Sequence, residues 1–343
     1  HNQSRRQRQM CIRDRMSSVF NFKLFKPLAP LSALMAVAFL ISGLVVLVLD
    51  LGRPDRLIVA MTTYNFKSIF AWNIFLYSGF AAILVVYLWF MLDRTVSNYS
   101  KPVGVFAFLW RIILTTGTGS IFGFLIARDA YGTAILAPLF IIMSLLYGTV
   151  IYFLLLKVIN YFQDTLMTDE VKDNLRKITI FFLFANLYFL ALYHITNLYI
   201  SKHYDYEVFI LTAGGIYTII FWIGQVLIGL LLPLYLLLNK NSNNESNFMI
   251  SSLLVVFGSF AAIYVIIISG QAFPLNIFND YIIVESSFYD NVIHDYTPSL
   301  YEIGLGIGGV ALSLIIILIA IRNLDFLPSV IQIRKPLVDE KSD

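Results

Sequence analysis

Eight stretches of this chain are apolar for nineteen residues or more: 31–49, 71–92, 103–127, 134–156, 178–200, 208–238, 248–270 and 302–321. At 1.5 Å per residue, each spans the roughly 30 Å of a bilayer's hydrocarbon core. Backbone crossing lipid must satisfy its own hydrogen bonds, so each stretch is expected to be a helix. Hydrophobic residues make up 59% of the 343 residues, charged residues 13%, and mean hydropathy is +0.78. A soluble domain carries about 25% charged residues. The sequence therefore predicts an all-α polytopic membrane protein with eight transmembrane helices, and 57–70 as an interfacial helix leading into the second span.

Loop charge sets the expected orientation. Alternate loops put Lys23, Lys26, Arg94, Lys101, Lys157, Lys172, Arg176, Lys177, Lys240, Arg322, Arg334, Lys335 and Lys341 on one side, and only Arg53, Arg56, Lys67, Arg128 and Lys202 on the other. By the positive-inside rule both termini are cytoplasmic. The 271–301 loop, with Asp280, Glu285, Asp290 and Asp295 and no Lys or Arg, is then an acidic external segment. The first fifteen residues, HNQSRRQRQMCIRDR, are polar, arginine-rich and aperiodic, and read as a non-native extension before Met16.

Several chemistries find no support. The one cysteine, Cys11, allows neither an internal disulfide nor a protein-held Fe–S cluster. A bis-histidine haem needs facing histidines on two helices, whereas only His194 of the four lies in a predicted helix. GLGIGG (304–309) has nucleotide-loop spacing but lies inside a span with no strand before it, so it reads as a packing face. No basic stripe interleaved with aromatics suggests nucleic acid.

Ionisable and amide side chains inside a membrane are candidates for function. Here they are Arg111 on the third span, His194 and Asn197 on the fifth, Gln225 on the sixth and Asn73 on the second. Each has a plainer reading: a snorkelling arginine, or satisfied packing groups. At helix ends, ARDAYG (127–132) places Arg128, Asp129 and Tyr131 together. LDLGRPDR (49–56) stops the first span with Asp50, Gly52, Arg53, Pro54, Asp55 and Arg56.

LDLGRPDR followed by NFKSIFAWNIFLYSGF (65–80) resembles the NrfD/PsrC family, the membrane subunits of respiratory oxidoreductases. So do RDAYGTAILAPLF (128–140), HITNLY (194–199), GGIYTIIFWIGQVLIG (214–229) and SGQAFPL (269–275). The set is similar to the ten-helix branch typified by DsrP- and HmcC-like proteins, over most of 28–328. The resemblance implies paired four-helix bundles, no resident cofactor, quinone or menaquinone as exchangeable substrate, and an Fe–S electron-transfer subunit docked outside, with further redox subunits beyond. It also implies a prokaryotic cytoplasmic membrane. The branch has two helices before the first span seen here, so the chain is expected to be N-terminally truncated and its first bundle incomplete. The expected organisation is an N-terminal segment 1–27, the remainder of the first bundle 28–132, a second bundle 133–270, the acidic loop 271–301, and a last helix with its tail, 302–343.

On this reading Asp129 accepts a proton from quinol, with Arg128 holding it ionised by opposite charge. Tyr131, Asn73 and Trp72 contact the head group, and His194, Asn197, Gln225 and Arg111 are proton-relay candidates. The 50–56 turn is structural and borders the docking surface. An ion or solute transporter and a passive anchor are the competing classes, although the paired mid-span Gly/Pro breaks of many transporters are missing.

Overall fold

The structure is a computed structural model, and it describes residues 29–92, 99–162, 168–239, 245–274, 293 and 296–323. The 1–15 extension, most of the acidic loop and the tail lie outside the described residues.

Ten helices carry the described chain. These are α1 (Ala29–Asp50), α2 (Asp55–Thr62), α3 (Ile69–Leu92), α4 (Ser100–Gly123), α5 (Leu136–Phe162), α6 (Asp169–Tyr199), α7 (Ser201–Val208), α8 (Ile216–Leu238), α9 (Glu245–Ala272) and α10 (Leu300–Asn323). All but α2 and α7 are long and apolar enough to cross a membrane, which gives the eight expected spans. The 31-residue α6 runs about 46 Å and overshoots the hydrocarbon. Its surplus is the charged first two turns, started by the Thr168 hydroxyl accepting from Val171 N at 3.4 Å and by Asp169 and Glu170 at the positive end of the helix dipole.

Two expected elements differ. The 208–238 stretch is not one helix: α7 passes through a π-helical turn, Phe209–Ala213, and the chain reverses at Gly214 and Gly215 before α8 begins. Gly215 has φ +55°, a conformation L-residues resist, so the reversal depends on glycine there. The interfacial helix expected over 57–70 is only the two turns of α2, Asp55–Thr62.

Helices α5, α6, α8 and α9 pack in a closed ring, α4 lies against α5, α3 against α4, α1 against α3, and α10 against α1. The main core runs from Leu139, Leu146 and Phe153 of α5 through Leu183, Phe221 and Val255, and reaches Leu31 and Ala38 of α1. A smaller cluster of Phe80, Leu84 and Leu114 joins α3 to α4. Helix–helix contact in lipid gains little from water exclusion, so backbones must approach closely. At the α8–α9 crossing Gly229 meets Gly258: a Cβ on Gly229 would stand 2.8 Å from the Gly258 Cα. At the α4–α5 crossing a Cβ on Gly119 would stand 2.7 Å from the Ala137 Cα.

One end of the molecule, the basic end, carries Lys157 and Lys172 bridged by Glu245, and Arg176 donating to the Leu237 carbonyl. The opposite end carries the turns at 51–54, 124–135 and 209–215 and is called the turn end below.

Candidate functional site

The 124–135 turn forms because Phe124 closes α4 and Gly132, at φ +90°, sends its N–H back to the Phe122 carbonyl at 3.2 Å. Five side chains fasten this turn to the second bundle, one of them Lys202, which donates to the Ile126 carbonyl. Arg128 Nη1 donates to the Gln271 carbonyl at 3.0 Å. The Tyr131 hydroxyl donates to the carbonyls of Ile266 at 2.9 Å and Ile267 at 3.2 Å, inside the π-helical stretch Val265–Ser269 of α9. A widened helix frees carbonyls from its own ladder, and Tyr131 supplies their donor. Tyr193 donates to the Ala130 carbonyl at 2.9 Å, and His203 Nδ1 meets the Asp129 carbonyl at 2.6 Å.

Arg128 is therefore spent on backbone, and the expected Arg128–Asp129 pairing is replaced. The side chains that lower the Asp129 carboxyl are Lys202 and His203 of α7. Partial burial, the larger influence, pushes this carboxyl above the usual range, and Asp205 raises it further. Tyr131, buried, has its phenol pushed up to about 12, with Arg128 opposing, and stays a neutral donor.

Beneath this layer lies a buried carboxylate, Glu207 of α7, fully shielded from solvent. His194 Nδ1 donates to its Oε2 at 2.7 Å and Asn197 Nδ2 to its Oε1 at 2.8 Å. A buried carboxylate is tolerated only with such partners. Beside it the Tyr206 and Ser269 hydroxyls are 2.9 Å apart. His194 and Asn197 are thus joined as expected for neighbours on one helix, but through a residue that no sequence motif singles out. The missed signal was periodic: His203, Tyr206, Glu207 and Ile210 are buried at helical spacing.

The remaining candidates are dispersed. Gln225 of α8 is buried with Oε1 unpartnered among the described residues, in a small cavity with Tyr147, Asn186, Gly229, Leu230 and Gly258. The cavity has room for about one water, and Tyr147 is hydrogen-bonded to Asn186 there. Arg111 is exposed on α4, with Nη2 3.8 Å from where a Cβ on Gly148 would lie, and shares no hydrogen bond with His194 or Gln225. Asn73, buried, donates to the Ile69 and Gly117 carbonyls at 3.0 and 3.1 Å, while Trp72 is half exposed and donates to the Phe66 carbonyl at 2.9 Å. Asn73 belongs to the α3–α4 contact and Trp72 packs back on Phe66, just before α3. Asp50, Gly52, Arg53, Pro54, Asp55 and Arg56 are all exposed in a tight turn closed by Arg56 N to Arg53 O at 3.2 Å. Among the described residues no group of three or more His, Cys, Asp or Glu side chains gathers as a metal site.

Fold and site together define a multi-pass helical membrane protein with a buried, hydrogen-bonded carboxylate near its turn end. The family model described as polysulphide reductase, NrfD, matches residues 12–275, and the chain belongs to that family of membrane oxidoreductase subunits. It is 27% identical over 321 residues to the Hdr-like menaquinol oxidoreductase integral membrane subunit of Archaeoglobus fulgidus, covering 91% of this chain and 79% of the relative. A selenate reductase subunit of Mesobacillus selenatarsenatis is 21% identical (90% and 79% covered), and a putative dimethyl sulfoxide reductase membrane subunit of Halobacterium salinarum 23% (89% and 76%).

Proposed function

We propose that the chain exchanges electrons between quinol or menaquinol and an Fe–S partner subunit, as the membrane arm of a multi-subunit respiratory complex of the ten-helix branch. The turn end faces outward from a prokaryotic cytoplasmic membrane, and both termini are cytoplasmic. The observation that carries the reading is Asp129: a carboxyl raised by partial burial, beside Lys202 and His203, at the edge of the hydrocarbon. Such a group takes a proton more readily than an ordinary surface aspartate and passes it to water at the turn end. Family membership supplies the substrate class, and the name of the Archaeoglobus fulgidus relative agrees with it. The exposed 50–56 turn contributes charge of both signs at the same end of the molecule and suits a docked protein better than lipid.

The test is fluorescence quenching of an alkyl-hydroxyquinoline N-oxide, a quinone-site inhibitor, by the detergent-solubilised chain and by Asp129→Asn. Saturable binding weakened several-fold by the substitution is expected. No binding by either protein refutes the quinol reading and leaves an anchor or a transporter.

A further inference from the structure

Glu207 needs more explanation than a helix-end packing group. A fully buried carboxylate close to lipid is costly, and its two oxygens receive one imidazole and one amide. With Nδ1 turned to Glu207, His194 presents Nε2 on the opposite side of the ring. The His194 side chain keeps 12% exposure, and Nε2 has no partner among the described residues. The ring meets Phe221 of α8 edge-on at 4.8 Å, so His194 stands at the seam where α6 faces α8. The adjoining surface is apolar and aromatic: Ile195 and Leu198 of α6 and Trp222 of α8 are exposed on it. His194 also lies five residues from the end of α6 at Tyr199, about 8 Å below it.

The geometry points to a second hydroxyl-recognising site at this seam, in which His194 Nε2 accepts the hydroxyl hydrogen of a quinol head group and Glu207 positions the imidazole. The inference rests on the quinol reading above and adds a site on α6 and α8, separate from Asp129. When Nδ1–H is held by Glu207, the neutral ring has a bare lone pair on Nε2. A quinol hydroxyl entering from the membrane donates to that lone pair. Full transfer breaks one O–H bond and forms one N–H bond, leaving a quinolate beside an imidazolium whose charge Glu207 balances. Among the described residues no other group at the seam competes for this hydrogen. The ionisable neighbours are the phenols of Tyr193, Tyr206 and Tyr131. Tyr131 and Tyr193 already donate to backbone carbonyls, and Tyr206 pairs with Ser269. Helix α8 contributes Phe221, and the cations Arg128 and Lys202 are bonded to the carbonyls of Gln271 and Ile126.

The detergent-solubilised chain is tested with the same N-oxide probe between about pH 5 and pH 9, the range that brackets a histidine, and with a photoreactive azidoquinone whose labelled peptides are then identified. His194→Gln is expected to weaken the probe about tenfold, the scale of one charge-assisted hydrogen bond. Glu207→Gln is expected to flatten the pH profile and Glu207→Asp to restore it, which a purely structural role would not do. Label is expected on the α6 and α8 peptides carrying Ile195 and Trp222. Leu198→Trp narrows the seam without touching the dyad, and should weaken the probe even if His194→Gln proves unstable. Parent-like affinity and pH profile in His194→Gln and Leu198→Trp, with label on α3, α4 or the 124–135 turn and loss in Asp129→Asn, overturns this site and keeps the quinol reading. No binding by the parent overturns both.

Discussion

Asp129 gives the chain a pH dependence whose sign follows from its surroundings. Its carboxyl is raised, chiefly by burial, so the folded chain holds this proton more tightly than the unfolded one does. The resulting stability is fully present below the unfolded value, about 3.9, and is lost as pH rises through the higher folded value. Thermal unfolding in detergent should therefore show the parent losing stability as pH rises above about 4, the unfolded value, with the slope reduced in Asp129→Asn. A parent-like slope in the variant would mean that other carboxyls set it. At this scale the sequence was informative where a polar group interrupts an apolar run, as with His194, Asn197 and Gln225. It was uninformative where a functional group sits among other polar residues. Glu207 lies in SKHYDYEV, which reads as a solvated loop unless its helical spacing is noticed, and Arg128 could not be seen to bond backbone 143 residues away.

Among the elements, α8 and α9 hold the closest contact. A side chain at Gly258 would run into the Gly229 backbone, and Gly224 next to Ala261 continues the same narrow seam. Gly258→Leu should force the helices apart and cost about 1–3 kcal/mol, the range for overpacking, visible as a lower unfolding temperature in detergent. A parent-like temperature would show that the crossing is slack. The spans themselves were legible because lipid admits almost nothing else. The break between α7 and α8 was not, since 208–238 is apolar almost throughout and only Gly214–Gly215 marks the reversal. The π-helical stretch Ile220–Leu231 has no composition that distinguishes it from an α-helix.

For the molecule as a whole, the ring of α5, α6, α8 and α9 was not written in hydrophobic periodicity. Helices that are apolar all round look the same toward lipid and toward each other, so neighbours are set by small residues and scattered polar contacts. Charge on the surface is easier to read. The exposed Arg53 and Arg56 lie at the turn end, between α1 and α3 in the chain. Changing both to Glu should leave N-oxide binding within about twofold of the parent, since rim charges act mainly on association. The same change should reduce co-purification of a co-expressed Fe–S partner. Undiminished co-purification would count against docking at this turn.

The joint between the 124–135 turn and the second bundle has a directional grammar. Arg128, Tyr131 and Tyr193 all donate, and the main-chain oxygens of Gln271, Ile266, Ile267 and Ala130 receive. Every residue type offers a main-chain oxygen, so the receiving positions are free to drift in identity without losing the bond. The donors are not free in this way, because few side chains have both the reach and the hydrogen. Mutational tolerance across this joint should be lopsided, with the three donors constrained and their recipients replaceable by any residue of fitting size.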